Sequence, residues 1–303
     1  MEQNFETCLY NVVDAAKIQK DEPMKKHTTF RIGGPADYFI MPSNEKELAE
    51  TIRVCRGFSI PIYIVGNGSN LLVGDKGFRG AIIQLYKSMG TFQVEGNQIT
   101  AQAGCSLAQI ANAALDAALT GFEFAAGIPG TLGGAVVMNA GAYGGEMKDV
   151  LTSVRVMTEE GEIMELPAEK LGLGYRTSII PEKRYIVLGA VISLTEGKKE
   201  EIKAQMDDLR QKRVSKQPLE YPSAGSTFKR PEGYFAGKLI QDSGLKGFTV
   251  GGAQVSEKHS GFVINKGNAT AADVMELIRQ VTAKVKEDTG VTMEPEVKQI
   301  GEF

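Results

Sequence analysis

Apolar residues recur along this chain with two periods, and the period separates its expected helices from its expected strands. Residues 43–57 place Leu48, Ile52 and Cys55 on one face, which predicts an amphipathic helix capped by Ser43. Pro61-Ile-Tyr-Ile-Val65 has the apolar pattern of a buried strand and runs straight into Gly66-Asn-Gly-Ser-Asn70, with a second apolar run at Ala81 to Leu85. Gln98 to Ala103 predicts a strand, and Ser106 to Leu119 an alanine-rich helix with Leu107, Ile110, Ala114 and Leu115 on one side. Ser153 to Met157 and Ile163 to Leu166 flank Glu160-Gly161 and predict a hairpin, and Tyr185 to Leu194 predicts another strand. Residues 198–214 read as a charged helix and 215–232 as an ordered loop rich in Pro, Gly and Ser. Thr270 to Asp288 predicts the best-marked helix. Thr270 and Asp273 have capping-box spacing, and Val274, Leu277, Ile278, Val281 and Val285 form a core stripe.

Length and charge narrow the function. The 303 residues exceed what one core usually serves, which predicts two or three domains. The net charge is −3 and no Lys/Arg run stands out, so the expected partner is a small molecule and not a nucleic acid. No segment approaches the ~20 apolar residues of a membrane helix. Met1 to Lys20 lacks a signal-like apolar stretch, so a cytoplasmic protein is expected. Three cysteines without metal or redox spacing and only two histidines argue against a metal site and against a Ser-His-Asp triad. Cys55 reads as a packed thiol.

Two glycine-rich loops carry candidate chemistry. In Val65-Gly-Asn-Gly-Ser-Asn-Leu71 the glycines let backbone N–H groups approach an anion, and Ser69 and the asparagines add neutral donors. A tight turn between strands explains the same residues equally well. Seven of the nineteen residues from Gly127 to Gly145 are glycine. Backbone so bare either lies against a large flat ligand or crosses another chain segment closely. Ile128, Leu132, Val136, Val137 and Met138 give this loop apolar anchors, unlike a disordered linker.

Three polar segments follow. Gly174-Tyr-Arg-Thr-Ser178 offers a guanidinium for a carboxylate or phosphate. Ser223-Ala-Gly-Ser-Thr-Phe-Lys-Arg-Pro231 sets hydroxyls beside glycine and two cations before a proline, and Met293-Glu-Pro-Glu-Val297 sets Glu296 at the start of a strand pattern. Taken singly, each is as well explained by a surface residue or an ordered turn.

Taken in order, these segments resemble the MurB reductases, together with Thr29-Phe-Arg-Ile-Gly-Gly-Pro-Ala36, Ala236-Gly-Lys-Leu-Ile240, Leu245-Lys-Gly247 and Gly251-Gly-Ala253. The resemblance runs from about Lys26 to Gly301. It implies an α+β chain: a two-domain FAD-binding fold similar to the vanillyl-alcohol oxidase type, plus a third α+β domain that closes over the substrate. The expected division is 1–88 (α/β) and 89–206 (α+β) for FAD, and 207–303 for substrate, with the last strand returning to the active site. It implies a reductase that uses NADPH and non-covalent FAD to convert UDP-N-acetylglucosamine enolpyruvate to UDP-N-acetylmuramate in peptidoglycan precursor synthesis. Residues 67–70 offer no His or Cys to tether a flavin, which agrees with non-covalent binding.

The site residues carried over are Arg176, Ser226 and Glu296 for catalysis, with Lys229 a candidate cation to support Ser226. Gly66, Asn67, Gly68, Ser69, Asn70, Gly127, Pro129, Gly130, Thr131, Gly133, Gly134 and Ala135 are expected at the cofactor, and Tyr175, Lys229, Arg230 and Asn139 at the substrate. Where the family often has three consecutive glycines this chain has Gly66-Asn67-Gly68, so a positive φ is expected at Asn67. It also lacks the insertion that brings a clamping tyrosine in one subgroup, and so resembles the shorter subgroup. A monomer is expected. The rival readings are another FAD oxidase or dehydrogenase of the same fold and a non-enzymatic sugar-nucleotide-binding protein.

Overall fold

The computed structural model describes residues 4–303; Met1, Glu2 and Gln3, which open the expected first domain, lie outside the described residues. The chain forms two compact units built from interleaved segments. The first comprises residues 4–19, Phe39–Asn67 and Ala81–Lys212; the second comprises Lys20–Tyr38, Gly68–Gly80 and Arg213–Phe303.

The first unit is organised on a five-stranded antiparallel sheet. Its order is Ile163–Pro167, Leu151–Met157, Ile186–Ser193, Gln98–Gln102, Phe92–Glu95. The predicted hairpin is its outer pair, with Val154 opposite Leu166 and Val156 opposite Met164. Helix Leu107–Asp116 starts at a full capping box between Ser106 and Gln109 and buries Leu107, Ile110, Ala111 and Ala114. Residues 62–65 pair in parallel with residues 81–84, so the strand before the first glycine loop is anchored on its neighbour. Helix Glu45–Gly57 buries Leu48, Ile52 and Cys55 as the periodicity predicts. Its cap is Asn44 and not Ser43: the Asn44 side chain accepts from the Glu47 N–H, while the Ser43 hydroxyl is taken by the Lys17 ammonium. Burial pushes the Cys55 thiol up to about 12, so it is a packing group.

The second unit packs the long helix Ala271–Thr289 on a four-stranded antiparallel sheet. The strand order is Ser223–Ser226, Phe262–Asn265, Ala253–Val255, Thr249–Val250. The predicted Thr270–Asp273 capping box is present, and Gly290 ends the helix at φ +74°, a left-handed C-cap that glycine adopts without a Cβ clash. Val274, Leu277, Ile278, Val281 and Val285 are all buried and join Phe30, Leu72, Phe228, Val255 and Val263 in one core. Each such side chain contributes about 1.5–3 kcal/mol relative to exposure. The segment 215–232 is less irregular than predicted: Ser223–Ser226 is a strand, because its backbone pairs with Phe262–Asn265 across a register shift that no local pattern announces.

Candidate active site

The first glycine loop leaves the strand Ile62–Val65. Gly66 lies so close to Thr131 that an added Cβ would sit 2.2 Å from its hydroxyl oxygen. The Asn67 side-chain amide donates to the Pro129 carbonyl at 2.7 Å. The two glycine-rich segments therefore touch at Gly66–Thr131 and Asn67–Pro129. The positive φ falls on Gly68 (+62°), not on Asn67, because a Cβ at 68 would meet the His27 carbonyl oxygen at 2.1 Å. The backbone N–H groups of Asn67, Gly68 and Ser69 donate to no protein acceptor among the described residues. Consecutive unspent donors on a glycine-rich turn suit the oxygens of a diphosphate.

The second segment is not a continuous loop. Residues Leu132–Val137 form a short helix, and Gly141–Ala142 pairs with Gly145–Glu146 in a hairpin. Gly133 packs against Ala103 and Gly145 against Phe124 at distances that leave no room for a side chain. Those glycines answer to chain crossing. Gly127, Pro129 and Gly134 are exposed and Gly130 half-buried, while Thr131 and Ala135 are buried behind them. This bare rim, which Gly66 and Asn67 meet, suits a large flat ligand. Cys105 is inert: it is buried, its Sγ donates to the Thr91 carbonyl, and burial raises it to about 11.

Arg176 sits at the tip of a tight turn in which Gly174 and Thr177 face each other as a bridge, and its own φ is +54°. Its guanidinium donates to the Gly141 carbonyl at 3.1 Å and lies 5.2 Å from the Tyr175 ring centre. Tyr175 itself is half exposed, at 50%. Two residues on, the buried Ser178 hydroxyl donates to the Val137 carbonyl at 2.7 Å and pins the turn. Asn139 is not placed for substrate contact. Its side chain is fully buried; its amide donates to Glu146 Oε2 at 2.8 Å and to the Gly174 carbonyl at 3.0 Å, and its Oδ1 accepts from the Lys148 N–H at 2.9 Å. These bonds use both amide hydrogens, so Asn139 orients the Arg176 turn instead.

Ser226 and Glu296 lie on neighbouring backbone segments of the second unit. Ser226 is exposed at the end of its strand, opposite Phe262. Next to it Thr227 is buried: its N–H donates to the Gly261 carbonyl and its Oγ1 accepts from the Val263 N–H, both at 2.9 Å. The Glu296 N–H donates to the Thr227 carbonyl at 2.7 Å, and Phe228 bridges Pro295 in antiparallel fashion. Glu296 is also tied to the first loop: Asn70 Nδ2 donates to the Glu296 carbonyl at 3.3 Å, and the Lys298 N–H donates to the Asn70 carbonyl at 3.0 Å. Lys229 is not turned to Ser226. Its ammonium pairs with Glu294 at 2.9 Å. Arg230 stacks on the exposed Phe235, with Cζ 3.9 Å from the ring centre.

Sequence reasoning missed Glu146 and Asp75. The carboxylate of Glu146 receives Asn139 and the Lys148 ammonium, and that of Asp75 accepts from Ala271 N–H at 2.8 Å and Ala272 N–H at 2.9 Å. Neither has a local signal beyond the glycines around it. Among the described residues no cluster of His, Cys, Asp or Glu is suited to a metal ion, and no helix is long and apolar enough to cross a membrane.

Comparison with known proteins bears on this geometry. Residues 36–167 match the family model of an FAD binding domain, and residues 217–300 match the C-terminal domain of UDP-N-acetylenolpyruvoylglucosamine reductase. The protein of that name from Agathobacter rectalis is 55% identical over 100% of both chains. Its counterpart from Caldanaerobacter subterraneus subsp. tengcongensis is 56% identical over 97% of both. The crystal structure of the enzyme from Thermus caldophilus superposes with a TM-score of 0.80 at 38% identity, covering 93% of this chain and 97% of that one. A Phl p 4 variant, a glucose oxidase, shares the fold over 65% of this chain and 45% of its own, with a TM-score of 0.50 at 13% identity.

Proposed function

Because the chain belongs to the UDP-N-acetylenolpyruvoylglucosamine reductase family, we propose that it reduces UDP-N-acetylglucosamine enolpyruvate to UDP-N-acetylmuramate, with FAD as bound cofactor and NADPH as hydride donor. The product feeds peptidoglycan synthesis, and through it cell shape and division. What supports the residue assignment is the bond from Glu296 N–H to the Thr227 carbonyl, which puts the Glu296 backbone beside the residue that follows the exposed Ser226.

FAD supplies the chemistry of passing hydride from NADPH to the vinyl carbon of the substrate. Gly66 to Asn70 would hold its diphosphate through the unspent N–H donors, and Gly127, Pro129, Gly130 and Gly134 would line it, with Thr131, Gly133 and Ala135 packed behind them. Hydride addition leaves negative charge on the carboxylate side of the substrate. Arg176 stabilises that charge; a positioned donor of this kind is commonly worth ~3–4 kcal/mol. Ser226 delivers the proton to the adjacent carbon, and Glu296 orients it. Tyr175, Lys229 and Arg230 contact the substrate. The Lys229–Glu294 pair is no obstacle, since an exposed ion pair is worth only about 0–1 kcal/mol and a substrate phosphate can replace the carboxylate. The domain division at 1–88, 89–206 and 207–303 and a cytoplasmic monomer belong to the same proposal.

The test separates the two half-reactions by stopped-flow flavin absorbance. Ser226→Ala is expected to be reduced by NADPH at the wild-type rate and to be reoxidised by the enolpyruvyl nucleotide at least ~100-fold more slowly, as befits loss of a general acid. Equal slowing of both half-reactions removes Ser226 from the proton-donor role.

A further inference from the structure

Three non-glycine residues around the Arg176 turn hold left-handed backbone: Asn139 at φ +43°, Tyr143 at +54° and Arg176 at +54°. Such conformations cost about 1–3 kcal/mol each and persist only where surrounding contacts over-determine them. Tyr143 and Gly144 (+95°) form the two-residue turn of the hairpin that carries Gly141 and Glu146 opposite each other. Gly141 offers its carbonyl to the Arg176 guanidinium. Glu146 offers its carboxylate to the buried Asn139 amide, and that amide also donates to the carbonyl of Gly174, where the Arg176 turn begins.

We propose that Glu146 is a positioning residue for Arg176: its carboxylate fixes Asn139, and Asn139 fixes the turn from which the guanidinium projects. The chain of contacts is continuous and spans only three side chains. Glu146 is 29% exposed, and the Lys148 ammonium lies 3.0 Å from Oε2, the same oxygen that accepts from Asn139. The hydrogen bond from Lys148, then that from Asn139, then the charge of Lys148 and last that of Arg176 keep the carboxyl below its ordinary range, so it is ionised at neutral pH and acts as an acceptor only. An Asn amide with one donor pulled toward Glu146 and the other toward Gly174 has no rotational freedom left. This is how a partner outside the reacting atoms sets the direction of a working group.

The inference rests on the role of Arg176 proposed above, and two conservative variants test it. Glu146→Gln keeps an acceptor oxygen in place, whereas Glu146→Asp keeps the charge and withdraws it by one methylene. Glu146→Asp is expected to slow reoxidation of the reduced flavin by the enolpyruvyl nucleotide by about 10–100-fold, the range typical for orienting partners, with NADPH reduction and flavin content unchanged. Glu146→Gln is expected to stay close to wild type. Combined with Arg176→Lys, the Glu146→Asp effect should largely vanish, since both act on the same guanidinium. Wild-type reoxidation in Glu146→Asp, equal slowing of both half-reactions, or effects of Glu146→Asp and Arg176→Lys that multiply would each overturn the proposal. If the wild-type protein itself is not reoxidised by the enolpyruvyl nucleotide, it is the proposed function that fails.

Discussion

Single positions decide how much the first glycine loop tolerates. At Gly66 the obstacle to a methyl group is the Thr131 hydroxyl, which can turn to another rotamer. At Gly68 the obstacle is the His27 carbonyl, fixed in the backbone, and the left-handed φ alone costs a larger residue about 1–2 kcal/mol. Gly68→Ala is therefore expected to lose more than ~2 kcal/mol, by urea midpoint, and to shed flavin on gel filtration, while Gly66→Ala loses less. Equal stability and equal flavin retention in the two variants would contradict this reading. That the loop needs glycine was legible in the sequence; which glycine carries the strain was not. The strain at 68 comes from His27, and the sequence gives no sign that those two backbones meet. The same limit explains Asn139. A lone Asn in a glycine-rich stretch looks like a ligand group until its burial and its two acceptors are seen.

Helices and hairpins were the legible level, because their causes are local. The stripe of Ala271–Thr289 and its capping box lie within twenty-odd residues of one another, and both stand in the structure as predicted, with Gly290 as the stop. What the sequence hid is the clamp on that helix: Asp75, 196 residues before Ala271, accepts from its first two N–H groups. A carboxylate there satisfies orphan donors and opposes the positive end of the helix. Asp75→Ala should cost about 1–2 kcal/mol in urea unfolding, and Asp75→Asn clearly less, since it keeps an acceptor. Asp273, three residues into the same helix cap, adds a pH dependence. The Thr270 N–H, above all, holds its carboxyl below the ordinary Asp range, with further help from Gly252 N–H. A group with a depressed folded pKa stabilises the fold above its unfolded value of about 3.9, and that stability is lost as pH falls through the lower folded value. Asp273→Asn should therefore unfold with a flatter pH dependence below about pH 4 than wild type. An unchanged acid limb would dismiss Asp273 as a contributor.

Taken whole, the molecule has an ordinary share of apolar residues, a small net charge and many buried apolar side chains, so little in its bulk speaks of function. Part of the functional signal lies in unspent polar groups: among the described residues, the three consecutive N–H donors at 67–69 have no protein acceptor. Donors left in that state are an energetic liability unless a ligand completes them, which links cofactor binding to stability. At free FAD about 100 times above its dissociation constant, the linkage amounts to about 2.7 kcal/mol. Spread over an unfolding entropy of ~2.1 cal/mol/K per residue for 303 residues, that is a rise in Tm of about 4 °C if the chain melts in one step. Removing the flavin should lower the calorimetric Tm by about that much, and adding FAD back should restore it. If the loop donors and not nonspecific binding cause this shift, it should shrink to near nothing in Gly68→Ala at the same FAD concentration. A full shift in that variant would mean that the flavin is held elsewhere, and the reading of the loop at 66–70 would have to be given up.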